Sequence, residues 1–424
     1  MQSELERRTI GKVLWRIIPA IFILYVISYI DRANIGYAAL QMNQELALTS
    51  SAFGFAAGVF FIGYFLFEVP SNLALARFGA RVWIARILIT WGLVAAASAF
   101  VHTPPQLYVA RFLLGVAEAG FFPGIIIYLT YWFRAQDQAA SVALFTAAIP
   151  VSYLIGAPVS TWVMDHVTGL GLSGWRWMLL LEGVPAILGG IWCYFFLTDR
   201  PEQARWLTTE EKAWLSGELA RDRLERPHVK TLGTWQAIAA PKVLVLSLIY
   251  FVYQVGSLGI GYWMPQIIAS LSGRTTNFEV GLIAIVPYAV ATVAMILWSI
   301  HSDRTRERQL HSALPLLLAA ATLAATGLTR SPVPSLLLIC VALAGLYAFK
   351  SPFWSLPGLF LSRSSAAVSI AAINSIGNLG GFAGPYLVGL IKSGTGDPLS
   401  GLLFLSALLF VAFLLTHFGR FAVK

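Results

Sequence analysis

The sequence predicts an all-α integral membrane protein in which twelve transmembrane helices form two pseudo-symmetric six-helix bundles. Three observations predict this fold. The chain of 424 residues is 58% hydrophobic and only 12% charged, whereas a soluble domain carries roughly 25% charged residues. Apolar runs of about 20 residues, each long enough to cross a bilayer core, recur along the whole chain. A polar stretch of mixed charge separates the first six runs from the last six.

The predicted spans follow one another with short connections, except after the sixth. They cover about residues 15–38, 52–75, 83–102, 105–130, 139–165, 176–197, 241–268, 277–300, 312–329, 334–358, 366–391 and 399–418. The first span lacks a small-residue cleavage site, so we interpret it as a retained helix and not as a signal peptide. We therefore divide the chain into an amino-terminal bundle (1–198), a cytoplasmic linker with a short helix (199–240) and a carboxyl-terminal bundle (241–424).

The two halves repeat one local pattern. Gly54 in the second span precedes Arg77 by 23 positions, and Gly281 in the eighth span precedes Arg304 by the same number. A short basic turn thus follows the second span of each half. This spacing fits a membrane protein built from two related halves.

The basic residues predict the orientation in the membrane. Of 29 Lys and Arg residues, 22 lie at the termini, in the loops on the same side or within a few residues of them. The opposite loops hold three, Arg274, Arg330 and Lys392, and four others lie within spans. Because cytoplasmic loops are enriched in Lys and Arg, we expect both termini in the cytoplasm and a location in the inner membrane. The same bias explains the net charge of +9 without a nucleic-acid partner.

Ionisable residues inside the spans predict a polar cavity. They are costly in a bilayer and usually face protein or a water-filled chamber, and the seven candidates for such positions are Asp31, Arg32, Glu68, Arg111, Glu118, Glu182 and Lys350. Five of the seven lie in spans one, four and ten, which are equivalent positions in an array of three-helix repeats. We expect these spans, together with span seven, to line one central cavity.

Helix geometry separates the roles of adjacent charges. Neighbouring helical residues point about 100° apart, so Asp31 and Arg32 cannot both project into the cavity in one direction. Arg offers a planar fork that matches a carboxylate, which makes Arg32 the candidate anchor for an organic anion. A buried carboxylate near it can carry a proton, which makes Asp31 and Glu118 the candidate proton carriers. Arg111 shares a helix face with Glu118, about 10 Å away.

Further candidates have two interpretations each. Lys350, close to Trp354, either binds a second anionic group or extends its amine towards the membrane surface. Asn374 and Asn378, four residues apart, either contact substrate hydroxyls or form an inter-helix hydrogen bond. For Glu68 and Glu182, the structural interpretation is that they form ion pairs that hold helices together.

The sequence lacks the motifs of several functional classes. The sequence has no GxxxxGK[ST] or HExxH motif, and neither its six histidines nor its two cysteines are spaced as a metal site. We expect no cofactor, no metal and no enzymatic activity. The energy source that remains is an ion gradient.

Motifs distributed over nearly the whole chain carry a family resemblance. They are "YIDRANIG", "GYFLFEVPSNLALARFGAR", "RFLLGVAEAGFFPG", "WRWMLLLEGVPA" and "FWSLP". Together they resemble the anion:cation symporter family of the major facilitator superfamily. The resemblance implies the major facilitator fold, alternating access and proton-coupled uptake of small organic anions.

The resemblance also implies site residues. Asp31, Arg32, Arg111 and Glu118 match positions that serve coupling and anion binding in sugar-acid members, and Tyr29 and Tyr64 match two of their tyrosines. Ile149 stands where those members have a glutamine that contacts sugar hydroxyls. This departure favours the tartrate, aromatic-acid and pyridine-carboxylate branch.

The leading hypothesis is a monomeric, proton-coupled symporter of a small organic anion such as tartrate, a sugar acid or an aromatic carboxylate. A facilitative uniporter or exchanger with the same fold is the first alternative. A non-transporting membrane sensor is an alternative from another class, although the linker is small for an output domain.

Overall fold

The computed structural model describes residues 4–224, 239–272, 276–329, 331–357, 363–397, 399–419 and 421. Within these ranges the regular elements are helices. The first half contains α1 (Glu4–Glu45), α2 (Ser50–Phe78), α3 (Ala80–Ala97), α4 (Pro104–Glu118), α5 (Phe121–Thr130), α6 (Ala135–Thr146), α7 (Ala148–His166) and α8 (Gly174–Phe196). The linker contains α9 (Thr209–Leu224).

The second half repeats this all-helical organisation. It contains α10 (Pro241–Ser272), α11 (Asn277–Thr305), α12 (Arg308–Leu328), α13 (Pro332–Ser355), α14 (Arg363–Asn378), α15 (Gly380–Thr395) and α16 (Ser400–Phe418). In the described ranges, eleven helical segments are long and apolar enough to cross a membrane. The predicted eleventh span coincides with α14 and α15, which have 16 residues each. The fold is therefore the predicted all-helical multi-pass one.

Three predicted spans are broken where the sequence suggested continuous helices. The fourth span divides into α4 and α5 at Gly120, whose backbone is left-handed with φ +85°. A Cβ there would lie 2.3 Å from the Ser71 hydroxyl oxygen, so only glycine fits. The fifth span divides after Thr146, because Pro150 lacks the N–H that would bond to the Thr146 carbonyl. The eleventh divides at Leu379, next to paired glycines.

Helix pairs join the two halves in a symmetric way. The second span (α2) packs against the eleventh (α15), and the fifth (α7) packs against the eighth (α11). A shift of six spans exchanges these two pairs, as pseudo-twofold symmetry requires. The first span (α1) packs against the seventh (α10) on the same interface. One face of α1 consequently lies between the two halves.

One end of this interface is closed, the end that carries the α1–α2 connection. The Ser51 amide donates to the Ser393 hydroxyl at 3.0 Å, and the Phe278 amide donates to Asp165 at 2.7 Å. A Cβ on Gly54 would lie 2.4 Å from the Pro385 carbonyl oxygen. The absence of a side chain at Gly54 therefore lets α2 and α15 approach closely, and this end is sealed by backbone packing.

The linker helix α9 is tied to the amino-terminal end of α1. Glu211 has no exposed surface and accepts from Arg8 at 3.0 Å and from Lys12 at 2.7 Å. Thr208 and Glu211 also form a reciprocal capping box. Burial raises the pKa of the Glu211 carboxyl, but the bonds from Lys12 and the Thr208 amide and the nearby charges outweigh burial and leave the pKa below its ordinary value. The described part of the linker thus contains one helix, α9, which is bound to the first span. The boundaries at 198 and 240 stay predictions.

Candidate functional site

A buried ion pair joins the first and fourth spans. Arg32 Nε donates to Glu118 Oε1 at 2.7 Å. The Arg32 side chain is 15% exposed and that of Glu118 is 1% exposed. The Ser28 hydroxyl, one turn before Arg32 on α1, donates to the same oxygen at 2.7 Å. Glu118 is the last residue of α4. The ion pair therefore lies at the point where the fourth span is broken.

Aromatic rings surround the Arg32 guanidinium. Its Cζ lies 5.3 Å from the centroid of Tyr29, 5.2 Å from that of Tyr64 and 5.6 Å from that of Phe60. These separations permit cation–π attraction. The rings therefore hold the guanidinium in place without competing for all its N–H donors. Arg32 Nη2 has no hydrogen-bond partner among the described residues.

A second buried guanidinium, that of Arg111, lies near the Arg32 guanidinium. Arg111 is 3% exposed, and its Cζ lies 5.2 Å from the centroid of Phe60, the ring that Arg32 also contacts. Arg111 Nε and Nη2 lack hydrogen-bond partners in the described part of the chain. Tyr262 of α10 lies within electrostatic interaction distance of both arginines. Because buried donors are normally satisfied, the open donors of Arg32 and Arg111 could pair with an acceptor-rich group.

Asp31 faces away from this site. Its Oδ2 accepts a short hydrogen bond from Trp91 Nε1 on α3, and its Oδ1 accepts from Asn34 Nδ2 at 2.9 Å. Arg32 and Asp31 thus contact different neighbours, as their 100° separation predicts. The structure places Asp31 inside the amino-terminal bundle and Arg32 towards the interface with α10.

The carboxyl-terminal half brings Lys350 close to the same cluster. The Lys350 amine lies 5.1 Å from the Tyr347 centroid and interacts electrostatically with Tyr253 and with Tyr29. Tyr29 also contacts Arg32. Lys350 therefore faces the aromatic residues between the two halves, which favours the anion-binding interpretation over extension to the membrane surface.

The remaining candidates occupy the edges of this region. Trp354 packs its ring against Tyr250 at a centroid distance of 4.9 Å. The side-chain carbonyl oxygen of Asn378 accepts a hydrogen bond from Gln254 Nε2 at 3.2 Å. This is a hydrogen bond between helices, the second of the two interpretations. Asn374 is half-buried one turn earlier on α14.

The expected ion pairs of Glu68 and Glu182 are not found. No Lys, Arg or His nitrogen of the described ranges lies within 4.0 Å of either carboxylate. Glu68 accepts from Ser375 at 3.2 Å. Glu182 accepts from Ser160 at 2.5 Å and from Asn34 at 3.0 Å. The physical reason is that both acids meet hydroxyl or amide donors on neighbouring helices, which satisfy them without a cation.

Sequence reasoning missed several residues of this region. Ser28, Asn34, Phe60, Trp91 and Ser160 each contact a predicted charge. Ser28 and Asn34 were detectable, because residues four or three apart share a helix face, here with Arg32 and Asp31. Phe60, Trp91 and Ser160 lie on other helices, and only the tertiary packing brings them to the charges that they contact. The described residues hold no group of three His, Cys, Asp or Glu side chains that would suit a metal ion.

Comparison with known proteins agrees with this architecture. The family model for the Major Facilitator Superfamily matches residues 21–385. A protein of Agrobacterium vitis named "Putative tartrate transporter" is 48% identical over 98% of this chain and 92% of its own length. A "Quinolone resistance transporter" of Acinetobacter baumannii is 37% identical over 98% of this chain and 95% of its own.

A solved structure shares the fold at low sequence identity. A bacterial homologue of the human lysosomal transporter Spinster superposes with a TM-score of 0.78 at 16% identity, covering 100% of both chains. The family match, the relatives and the shared fold lead to one conclusion. The chain belongs to the major facilitator superfamily and is a multi-pass membrane transporter, not an enzyme.

Proposed function

We propose that this transporter is a proton-coupled symporter that takes up a small organic anion by alternating access. The observation that carries the proposal is the buried ion pair between Arg32 and Glu118, with a nitrogen-to-oxygen distance of 2.7 Å. A cation that binds an internal carboxylate in this way can bind a substrate carboxylate in its place.

The exchange of partners couples protons to substrate. While Glu118 is ionised, it holds the Arg32 guanidinium through one oxygen, and the Ser28 hydroxyl reinforces that position. When Glu118 accepts a proton, its negative charge disappears and its attraction for Arg32 weakens. Arg32 is then free for an incoming anion. Release of the proton restores the internal pair and displaces the anion.

The other residues define what kind of anion fits. Arg111 adds buried donors beside Arg32, and Lys350 supplies a second positive charge from the opposite half. Tyr29 and Tyr64 lie against the Arg32 guanidinium and offer hydroxyl groups at the same site. A small acid with two polar ends, such as tartrate, matches this distribution. The name of the Agrobacterium vitis relative supports the same class.

The orientation follows from the basic residues. With both termini in the cytoplasm of an inner-membrane protein, the closed end at Ser51, Asp165 and Pro385 is periplasmic. The state described is then one in which the periplasmic path is shut. Asp31, within the amino-terminal bundle, serves proton coupling and not anion contact.

Transport by the purified protein in liposomes tests the proposal. A pH gradient that is alkaline inside should drive accumulation of tartrate, or of another small carboxylate found in a thermal-shift screen, and acidify the lumen. Equal uptake with and without the gradient would favour a facilitative exchanger. Binding without any flux would favour a sensor. Heat-inactivated protein in matched liposomes is the control.

A further inference from the structure

We infer that Glu182 is a second proton-holding group, which acts together with Asp31 through the side chain of Asn34. This inference rests on the proposed proton-coupled function and extends it to a residue that the Arg32–Glu118 exchange does not use. Its basis is a buried polar cluster in the amino-terminal bundle, formed by Asp31, Asn34, Glu182, Ser160 and Trp91.

Two acids share one amide nitrogen in this cluster. Asn34 Nδ2 donates to Asp31 Oδ1 at 2.9 Å and to Glu182 Oε2 at 3.0 Å. The two acceptor oxygens therefore lie no farther apart than the sum of these distances. Asp31 is 2% exposed, Asn34 1% and Glu182 8%. Two ionised carboxylates this close, and this well removed from water, disfavour one another's charge.

Uncharged donors satisfy the remaining oxygens of the pair. Ser160 donates to Glu182 Oε1 at 2.5 Å, and Trp91 Nε1 donates to Asp31 Oδ2. Within the described residues no cation lies within 4.0 Å of either acid. The charged and titratable groups that face the cluster from other helices are Arg111 and Glu118, whose fields reach Asp31, and Tyr37 of α1 faces Glu182.

The Asn34 carbonyl oxygen supplies the second observation. Asn34 is almost completely buried, yet Oδ1 has no hydrogen-bond partner in the described part of the chain. Buried amide oxygens are normally satisfied, and in this orientation the amide nitrogen, not Oδ1, faces the two acids. Rotation of the amide by half a turn presents Oδ1 to the acids, where it can accept from a protonated carboxyl group. The same side chain thus accommodates both protonation states.

The cluster is separate from the anion site. It should therefore affect the number of protons transported per substrate and not the affinity for the anion. A proton taken up by Glu182 forms an O–H bond, neutralises that carboxylate beside the ionised Asp31 and later leaves for the opposite compartment. We therefore expect one more proton per substrate than Glu118 alone would carry.

The test is the proton-to-substrate ratio in liposomes, measured from the membrane potential at which net tartrate flux reverses. Glu182→Gln should lower the ratio by one proton, while its KM for tartrate exchange stays close to that of the wild type. Glu68→Gln, a matched buried acid outside the cluster, should keep the wild-type ratio. A wild-type ratio in folded Glu182→Gln overturns the inference. A wild-type protein without any proton flux overturns the proposed function instead.

A spectroscopic measurement covers the case in which Glu182→Gln does not fold. Infrared difference spectra of the wild type between alkaline and acidic buffer should contain bands of at least two protonated carboxyl groups in non-aqueous surroundings. Asn34→Leu, which removes the bridge but keeps both acids, should shift the band of one of them. A spectrum that is the same in wild type and Asn34→Leu contradicts the inference.

Discussion

Replacing Arg32 by alanine should have one effect on stability and a separate one on affinity. The stability effect arises because Glu118 is fully buried and its Oε2 has no described partner. Ser28 then remains the only described donor to an ionised carboxylate. Breaking a buried ion pair by removing one partner costs about 3–5 kcal/mol, and protonation of Glu118 relieves part of that cost. We expect a lower Tm that recovers partly in acid.

The affinity effect follows from the lost anion contact. A hydrogen bond to a charged group contributes about 1.5–3 kcal/mol, and each 1.4 kcal/mol corresponds to a tenfold change in Kd. Arg32→Ala should therefore raise Kd for the anion by roughly 10- to 150-fold. The other cations of the site, Arg111 and Lys350, remain and prevent a complete loss of attraction.

A double variant separates the two effects. Arg32→Ala combined with Glu118→Gln removes the stranded charge, so its Tm should return towards the wild type while its Kd stays weak. Arg86→Ala is the matched control, because Arg86 lies on α3 over the Trp83 ring at 4.0 Å, outside the site. Titration calorimetry in detergent measures Kd, and differential scanning fluorimetry measures Tm. A double variant that binds the anion as tightly as the wild type would refute Arg32 as the anchor.

Three further predictions concern the linker, the packing and the topology. Glu211→Gln should lower Tm at neutral pH, because the folded pKa of Glu211 is depressed and its ionised form stabilises the α1–α9 contact; the difference from the wild type should vanish as the pH falls below that pKa. Gly115→Leu should reduce folded protein strongly, since even a Cβ would lie 2.0 Å from the Phe60 carbonyl oxygen, and size-exclusion chromatography would show it. Leu170→Cys, 86% exposed in the wild type, should react with an impermeant maleimide added to whole cells; labelling only after lysis would reverse the topology.

Much of the fold was predictable from local pattern. Long apolar runs predict spans because backbone groups in a bilayer must bond within a helix. The break at Gly120 was harder to predict, because the apolar sequence continues through it and the close contact with Ser71 of another span exists only in the packed structure. The eleventh span divides at Leu379, and the neighbouring Gly380 likewise packs against the backbone of another span, α10.

The candidate site was predictable in part. Counting 100° per residue separates Asp31 from Arg32, and the intramembrane charges identify the important helices. Which carboxylate would meet Arg32 was not predictable, because Glu118 is 86 positions away and only packing selects it over other acids. Glu182 shows the limit most clearly. The sequence suggested an ion pair between helices for Glu182, yet Asn34 of α1 links it to Asp31 inside the bundle.

The comparison of gradient-driven uptake with substrate exchange in Glu118→Gln tests the central claim most directly. Glutamine keeps the shape of the side chain and an oxygen for the Ser28 hydroxyl, but it has no proton to carry. The account predicts that accumulation driven by a pH gradient falls well below that of the wild type, while exchange of labelled for unlabelled anion continues. Equal loss of both activities, or full retention of both, would contradict it.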